Sequence, residues 1–262
     1  MKKQPATLPI RYITVDGQKP RGIDGEIVEE GLVCISVNGE ELATFMCTPS
    51  NLEILALGFL YNERIINRLD NIRHIRVSES TTCVDVWLKD MNFTRPSRAI
   101  VTSGCGGGVT FDDLSGRHEP LVSSQFAKPE QLAELMQKML LGADSYKRAR
   151  GIHTAVLAHE DQVLLQVEDV GRHNCLDKLC GAALKQGIDT KDKLLFSSGR
   201  ISSEMLNKAR RLQTPIVCSR TSPTSLSVAL AEAWNMTIVA YIRNKRMRIY
   251  THPERILIPD AV

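Results

Sequence analysis

In TSGCGGGV (102–109) one cysteine, Cys105, stands directly before three consecutive glycines. Such a run will not hold a helix or a strand, because unfolded glycine has the most conformational freedom to lose. The expectation is a loop that can adopt positive φ and move, with a thiol on it. Loop placement favours access and ionisation, the two conditions for a nucleophilic thiolate, and Arg95 and Arg98 could lower the thiol's pKa. On these residues alone an incidental loop cysteine is the alternative.

Arginine supplies the second pattern. Four predicted strands end shortly before Arg172, Arg200, Arg220 and Arg243. In open α/β sheets ligands bind beyond the carboxyl ends of the strands. If these strands run parallel, the four guanidinium groups gather along one edge. Arg200 and Arg220 also precede predicted helix N-termini, where free N–H groups and the macrodipole favour anions. Ser202, Ser203, Thr221, Ser222 and Thr224 add hydroxyl donors. Because arginine binds phosphate bidentately, the set suits a polyphosphate or nucleotide-like ligand. The plainer reading is that each arginine caps a helix, pairs with a carboxylate or lies solvated. RNKRMR (243–248) would equally serve as a basic edge strand that discourages aggregation.

EDVGRHNCLDK (168–178) packs Glu168, Asp169, Arg172, His173, Asp177 and Lys178 into eleven residues. His173 is a proton-transfer candidate at neutral pH or else a structural histidine. His153, at the start of an apolar strand, reads as a core histidine with a satisfied hydrogen bond. Cys34, Cys47, Cys83 and Cys218 lie in apolar strand patterns and behave as small hydrophobes. Cys175 and Cys180, five apart on one helix, do not share a face.

The elements that must position these groups follow from periodicity. The first ten residues look like an extended arm. LVCISVNGEELATFMC alternates around Asn38-Gly39, the strongest short hairpin signal. TPSNLEILALGFLYNERI reads as a helix capped by Ser50, with Glu53 completing a capping box. IRHIRVSESTTCVDVWL gives two more strands around a polar turn, which makes residues 1–90 a small α+β domain. Residues 91–127 form a long glycine-containing loop or linker carrying Cys105, a length usually reserved for function. Residues 128–262 begin with an amphipathic helix bearing Leu132, Leu135, Met136, Met139 and Leu140 on one face. A hairpin turning near Glu160-Asp161 follows, and then strands alternate with helices. This is the pattern of an α/β layered sheet.

The totals bound the rest. A chain of 262 residues that is 43% hydrophobic can bury a sizeable core without a staple. Seven cysteines without a CxxC give no paired metal-ligand spacing. The N-terminal lysines have no apolar region behind them, and the longest apolar run, 54–60, is too short to span a bilayer. The expectation is a cytoplasmic protein with reduced thiols and no membrane segment. A net charge of +3 does not argue for nucleic acid.

DVGRHNCLDK, SSGRISSEMLNKA, SPTSLSVALAE and YIRNKRMRIYTHPERI together resemble the formate dehydrogenase accessory protein family, FdhD, and NGEELATFMCTPSNLEILALGFL is similar to its N-terminal region. The resemblance runs from about residue 25 nearly to the end. It implies a sulfurtransferase that takes sulfur from a cysteine desulfurase as a persulfide. The sulfur would pass to the bis-guanine-dinucleotide molybdenum or tungsten cofactor, a transient substrate, before formate dehydrogenase receives it. No cofactor would be permanently bound, and guanine nucleotides would act as mimics. The resemblance puts the persulfide on Cys105 and the cofactor-contacting segment on Tyr241, Ile242, Arg243, Asn244, Lys245 and Arg246. Ser198, Gly199, Arg200, Arg172, His173 and Ser222, which lie in the matched motifs, and Arg220 from the strand-end arginines complete the candidate cofactor site. It further implies a cytidine-deaminase-like C-terminal domain and a homodimer.

The family reads C-G-x-C-G where this chain has Cys105-Gly106-Gly107-Gly108, so the second cysteine is absent. Carriage on one thiol needs only one attacking thiolate. A cofactor-binding chaperone without sulfur transfer is the competing reading. A zinc deaminase needs H-x-E and P-C-x-x-C. His153-Thr154-Ala155 has no glutamate, and no second cysteine follows Cys218 at that spacing.

Overall fold

The structure, a computed structural model, describes residues 5–96, 100–101, 109–111 and 118–258. Strands β1 (Thr7–Asp16) and β2 (Lys19–Val28) pair only with each other. The expected N-terminal arm is therefore half of a hairpin, which Pro9, Pro20, Gly22 and Gly25 conceal because these residue types are depleted from strands. Strands β3 (Gly31–Val37) and β4 (Glu40–Cys47) turn at Asn38 and Gly39, both at positive φ, as a two-residue primed turn requires. Helix α1 (Leu52–Asn62) follows, then β5 (Ile72–Val77) and β6 (Cys83–Leu88), giving a four-stranded sheet ordered β4-β3-β6-β5. Cys34 and Cys83 face each other across the parallel β3/β6 ladder and form a disulfide, which corrects the expectation of two separate reduced fillers.

Helix α1 starts differently from the sequence expectation. Asn51 precedes it in the left-handed region (φ 55°) with no side-chain cap, and Glu53 pairs with Lys185 at 2.6 Å instead of closing a capping box. Packing replaces the cap: α1 is apolar on all sides, as a helix buried on two faces must be. One face packs Leu52, Leu55, Phe59 and Leu60 on the four-stranded sheet, and the other meets the second layer of helices.

Strands β7 (Ile100–Val101) and β8 (Val109–Thr110) form a short antiparallel pair, and residues 102–108, with Cys105, lie outside the described residues. Helices α2 (Pro129–Gly142) and α3 (Asp144–Ala149) lead into β9 (His153–His159), β10 (Gln162–Asp169) and α4 (Arg172–Gln186). Then come β11 (Leu194–Ser197), α5 (Ser203–Arg211), β12 (Ile216–Ser219), α6 (Ser225–Ala233), β13 (Thr237–Arg243) and β14 (Arg246–Ile249). The six strands form one mixed sheet ordered β10-β9-β11-β12-β13-β14. Successive residues of β9 divide between its faces: Ala155 and Leu157 join the core under α4, α5 and α6, whereas Val156 and Ala158 join the core under α2. The fold is a layered α/β structure.

The two sheets are joined where α1 crosses α4. A Cβ on Gly58 would lie 1.7 Å from the Asp177 carbonyl oxygen, and one on Gly181 would lie 1.9 Å from that of Ile54. Only glycine at both positions lets the backbones touch. Gly181→Ala is expected to lower the unfolding free energy by about 3 kcal/mol, as overpacking of rigid backbone does. Denaturant titration checks this, and an unchanged midpoint would show that the helices separate at no cost.

Candidate functional site: the arginine edge of the sheet

Strand β9 is antiparallel to both β10 and β11, and β11, β12 and β13 run parallel. The carboxyl ends of β10, β11, β12 and β13 therefore share one edge. The amino end of β9 is inserted there, setting His153 opposite Asp169.

A cavity of about 510 Å³ opens at this edge, with His153, Thr154, Ser198, Arg220, Thr221 and Arg243 as its polar wall. Leu140, Ala143, Tyr146 and Ile152 supply the apolar wall. A second cavity of about 690 Å³ shares Leu140, Arg220 and Arg243 and adds Ile242, Asn244 and Lys245, with Glu130 and Glu134 opposite. Ser198 Oγ accepts from the Thr154 amide at 2.9 Å and lies 3.3 Å from His153 Nδ1. Burial and the Arg172 charge pull His153 below its ordinary pKa, against the pull of Asp169, so its ring is neutral at neutral pH.

The sequence-selected residues divide accordingly. Arg172 is not on a loop but opens α4; it is buried, with its Cβ 2.9 Å from where a Cβ on Gly199 would stand. Gly199 thus lets Arg172 and His153 close behind the cavity. Asn244 and Lys245 form the β13/β14 turn, with Asn244 at φ 53°. Arg246 faces a neighbouring groove with Tyr241 and Arg248, where the Arg248 guanidinium stacks 4.4 Å from the Tyr241 ring. Arg200 is exposed and lines neither cavity. Ser222 contributes its carbonyl to the Ile201 amide. His173 is buried behind the edge, with Nε2 3.1 Å from Ser202 Oγ and 3.4 Å from Glu204. Burial pushes its pKa down to about 3 against the pull of Glu204, with Lys208, Arg172 and His153 adding to the fall. At neutral pH that contact is therefore between a neutral imidazole and a carboxylate.

Charges missed as structural by sequence reading support the edge from below. Asp169 and Lys178 pair at 2.6 Å, both fully buried, and Asp177 and Lys208 pair at 2.7 Å. Asp169 Oδ1 accepts from the Gly171 amide and Asn174, fixing the turn that delivers Arg172. Tyr146 and the α2–α3 junction were also missed; the one available signal was the apolar face of α2 continuing past Gly142. Among the described residues no cluster of His, Cys, Asp and Glu could hold a metal ion.

The cysteines separate cleanly. Cys47, Cys175, Cys180 and Cys218 are buried free thiols. Burial raises all four pKa values, that of Cys47 to about 12. None is a thiolate at neutral pH, and Cys34 and Cys83 are bonded to each other.

Comparison with known proteins shows what this chain is similar to. The sequence profile of the FdhD/NarQ family matches residues 28–257. Sulfur carrier protein FdhD of Bacillus subtilis (strain 168) is 36% identical over 240 residues, covering 89% of this chain and 91% of its own. The protein of that name from Staphylococcus aureus (strain MRSA252) is 36% identical over 237 residues, covering 88% and 89%. A crystal structure of a candidate formate dehydrogenase accessory protein from Desulfotalea psychrophila superposes with a TM-score of 0.77 at 25% identity, covering 97% of this chain and all of that one.

The buried imidazole makes stability pH-dependent. The folded pKa of His173 lies below that of the unfolded chain, so the unfolded state binds more protons between about pH 6.5 and pH 3. Stability is expected to fall as pH drops through that window. His173→Gln should flatten this part of the curve in denaturant titrations at successive pH values, and an unchanged slope would mean that the ring is already charged in the folded state.

Proposed function

The chain belongs to the FdhD/NarQ family, and on that premise we propose that it is a sulfur carrier serving formate dehydrogenase. In this reading Cys105 receives sulfur from a cysteine desulfurase as a persulfide. The sulfur passes to a bis-guanine-dinucleotide molybdenum or tungsten cofactor held as substrate at the arginine edge. The same reading makes the protein a cytoplasmic homodimer in which residues 91–127 link a small N-terminal domain to a cofactor-binding domain. No helix among the described residues is long and apolar enough to cross a membrane.

One observation carries the assignment of the thiol. Of the seven cysteines, four are buried with raised pKa values and two are bonded to each other. Only Cys105, which lies outside the described residues, is left for an exposed, reactive sulfur. In the loading step its thiolate attacks the outer sulfur of the donor's persulfide. A new S–S bond forms on Cys105, the donor's S–S bond breaks, and the electron pair leaves with the donor thiolate. No net oxidation occurs. On delivery the acceptor supplies the electron pair for its new bond to the sulfane sulfur, the S–S bond breaks, and Cys105 leaves as a thiolate with the pair of the broken bond.

The edge supplies the acceptor's binding groups. Arg220 and Arg243 line both cavities, Lys245 lines one, and Arg172 stands behind them. A bis-dinucleotide carries four bridging phosphates, which such a row of cations suits. The apolar wall of Tyr146 and Ile152 suits a nucleobase face.

Incubation with a cysteine desulfurase and cysteine, followed by peptide mass spectrometry, tests the carrier. A reductant-reversible gain of roughly 32 Da, one sulfur atom, is expected on the Cys105 peptide. Cys105→Ser should show none while still binding GDP. Absence of sulfur on the wild-type protein, with GDP bound, would favour the chaperone reading to which Gly108, in place of the second family cysteine, already points.

Arg220→Ala and Arg243→Ala are each expected to weaken GDP binding about tenfold or more, the worth of one charge-assisted hydrogen bond. Exposed Arg200→Ala should have a smaller effect. Calorimetry with GDP is the measurement, and equal affinities across the three variants would remove the edge as the binding site.

A further inference from the structure

The β1/β2 hairpin has two unlike faces. Residues directly opposite in an antiparallel pair share a face, and the faces alternate along each strand. One face carries Arg11, Asp24 and Glu26: Arg11 lies 3.9 Å from Asp24, and Glu26 pairs with Arg148 of α3 at 3.3 Å. The other carries Leu8, Ile10, Tyr12, Ile23 and Ile27, each between 37% and 47% exposed. The Tyr12 ring closes the gap at Gly25, where a Cβ would stand 2.7 Å from Tyr12 Cε1, so the five side chains form one stripe. A two-stranded hairpin is at best marginally stable in water, and an apolar patch rimmed by charge marks an interaction site. The two ends of the stripe differ in sign. Arg21 lies on this face toward the tip, with Lys19 opposite Asp16 at the turn. Glu29 lies on it at the root, where its amide donates to the Ala6 carbonyl at 3.0 Å. Pro9 and Pro20 each take an N–H from an outer edge of the hairpin, which disfavours addition of a further strand. Contact is left to the face.

We propose that this stripe is the two-fold interface with a second copy of the chain. An isologous contact requires a surface that complements itself. A two-fold axis running across the hairpin along the Ile10–Gly25 pair meets that requirement. It lays Leu8 on the second copy's Tyr12 and Ile27 on its Ile23, because these residues lie two positions either side of the axis. Four positions out, it sets Arg21 over the second copy's Glu29 and Glu29 over its Arg21, two ion pairs flanking an apolar centre. Packed sheets stand about 10 Å apart, a span that an arginine and a glutamate side chain bridge between them. A partner of another kind would be matched by an excess of one charge; opposite charges at the two ends of one stripe are what a copy of that stripe supplies. The inference rests on the homodimer of the reading above and deepens it by assigning the interface.

The test is sedimentation equilibrium of the full-length protein and its variants, with circular dichroism as the check of folding. The wild-type protein is expected to sediment at twice the mass of one chain. Ile10→Lys sets two like charges on the axis and should raise the dimer Kd about tenfold or more. Ile13→Lys, on the opposite face, should leave it unchanged. Arg21→Glu and Glu29→Arg should each raise the Kd several-fold. The double variant should bring it back toward the wild-type value, which a merely structural role of either residue would not do. A dimer indifferent to Ile10→Lys, or charge reversals without rescue, would overturn the proposed interface and leave the homodimer standing. A monomeric wild-type protein would overturn both, whether or not another protein covers the stripe. If Ile10→Lys fails to fold, the charge exchange decides alone. Neither result bears on sulfur carriage, which the mass-spectrometric experiment decides separately.

Discussion

Asp169 and Lys178, 2.6 Å apart and closed off from solvent, govern more of this molecule than any other contact. Asp169 Oδ2 also accepts from the Thr48 amide at 3.2 Å, while Lys178 Nζ donates to the Thr48 carbonyl at 3.0 Å. The Val170 amide donates to Thr48 Oγ1 at 3.1 Å, and Asn174 donates both to Asp169 and to the Met46 carbonyl. One ion pair thus fastens the end of β4, just before α1, to the turn between β10 and α4. Removing one partner of such a pair costs about 3–5 kcal/mol, because the other is left charged in the interior. A hydrophobic substitute of equal volume would hold the layers together as well, but it would not fix direction. The carboxylate has four partners at defined angles, and these orient the first turn of α4, hence Arg172, hence the back of the arginine edge.

Much of this organisation was legible in the sequence. From β9 onward, strands of four to eight residues alternate with helices of nine or more; Arg172, Arg200 and Arg220 follow their strands closely, while Arg243, expected just past its strand, is the last residue of β13. The direction of those strands follows once the hairpin of β9 and β10 is recognised. What periodicity does not contain is the insertion of β9 between β10 and β11, since strand order is decided by which faces remain to be covered. That insertion brings His153 to the edge. The capping residues Ser50 and Glu53 misled for a related reason: a local signal for starting α1 lost to packing around Gly58 and Gly181, which a single sequence shows only as two ordinary glycines.

The buried charges were the least legible. Lys208 sits in SSEMLNKARRL, where a helical lysine reads as solvated, and Glu63 sits in NERI, which reads as the polar end of a helix. Asp177 and Lys178 were visible as part of a charged cluster, and a cluster of that kind suggests chemistry before it suggests structure. Each becomes a core residue only because another charge from a distant segment meets it: Lys208 for Asp177, Asp169 for Lys178. Burial of an ion is a property of the pair and not of the residue.

Helix α5 is where the two ends of the site meet. Glu204 and Lys208 are one turn apart, about 6 Å along the axis. Glu204 points to His173, one residue from Arg172 at the sheet edge. Lys208 points to Asp177 and into the surroundings of Glu63, which holds the Thr110–Phe111 root. A rigid element of fixed pitch therefore sets the spacing between the arginine edge and the contacts of Glu63 with Thr110 and Phe111. Around it the paired charges lie in the helices and at the strand ends, and the described cysteines are either bonded to each other or buried as free thiols.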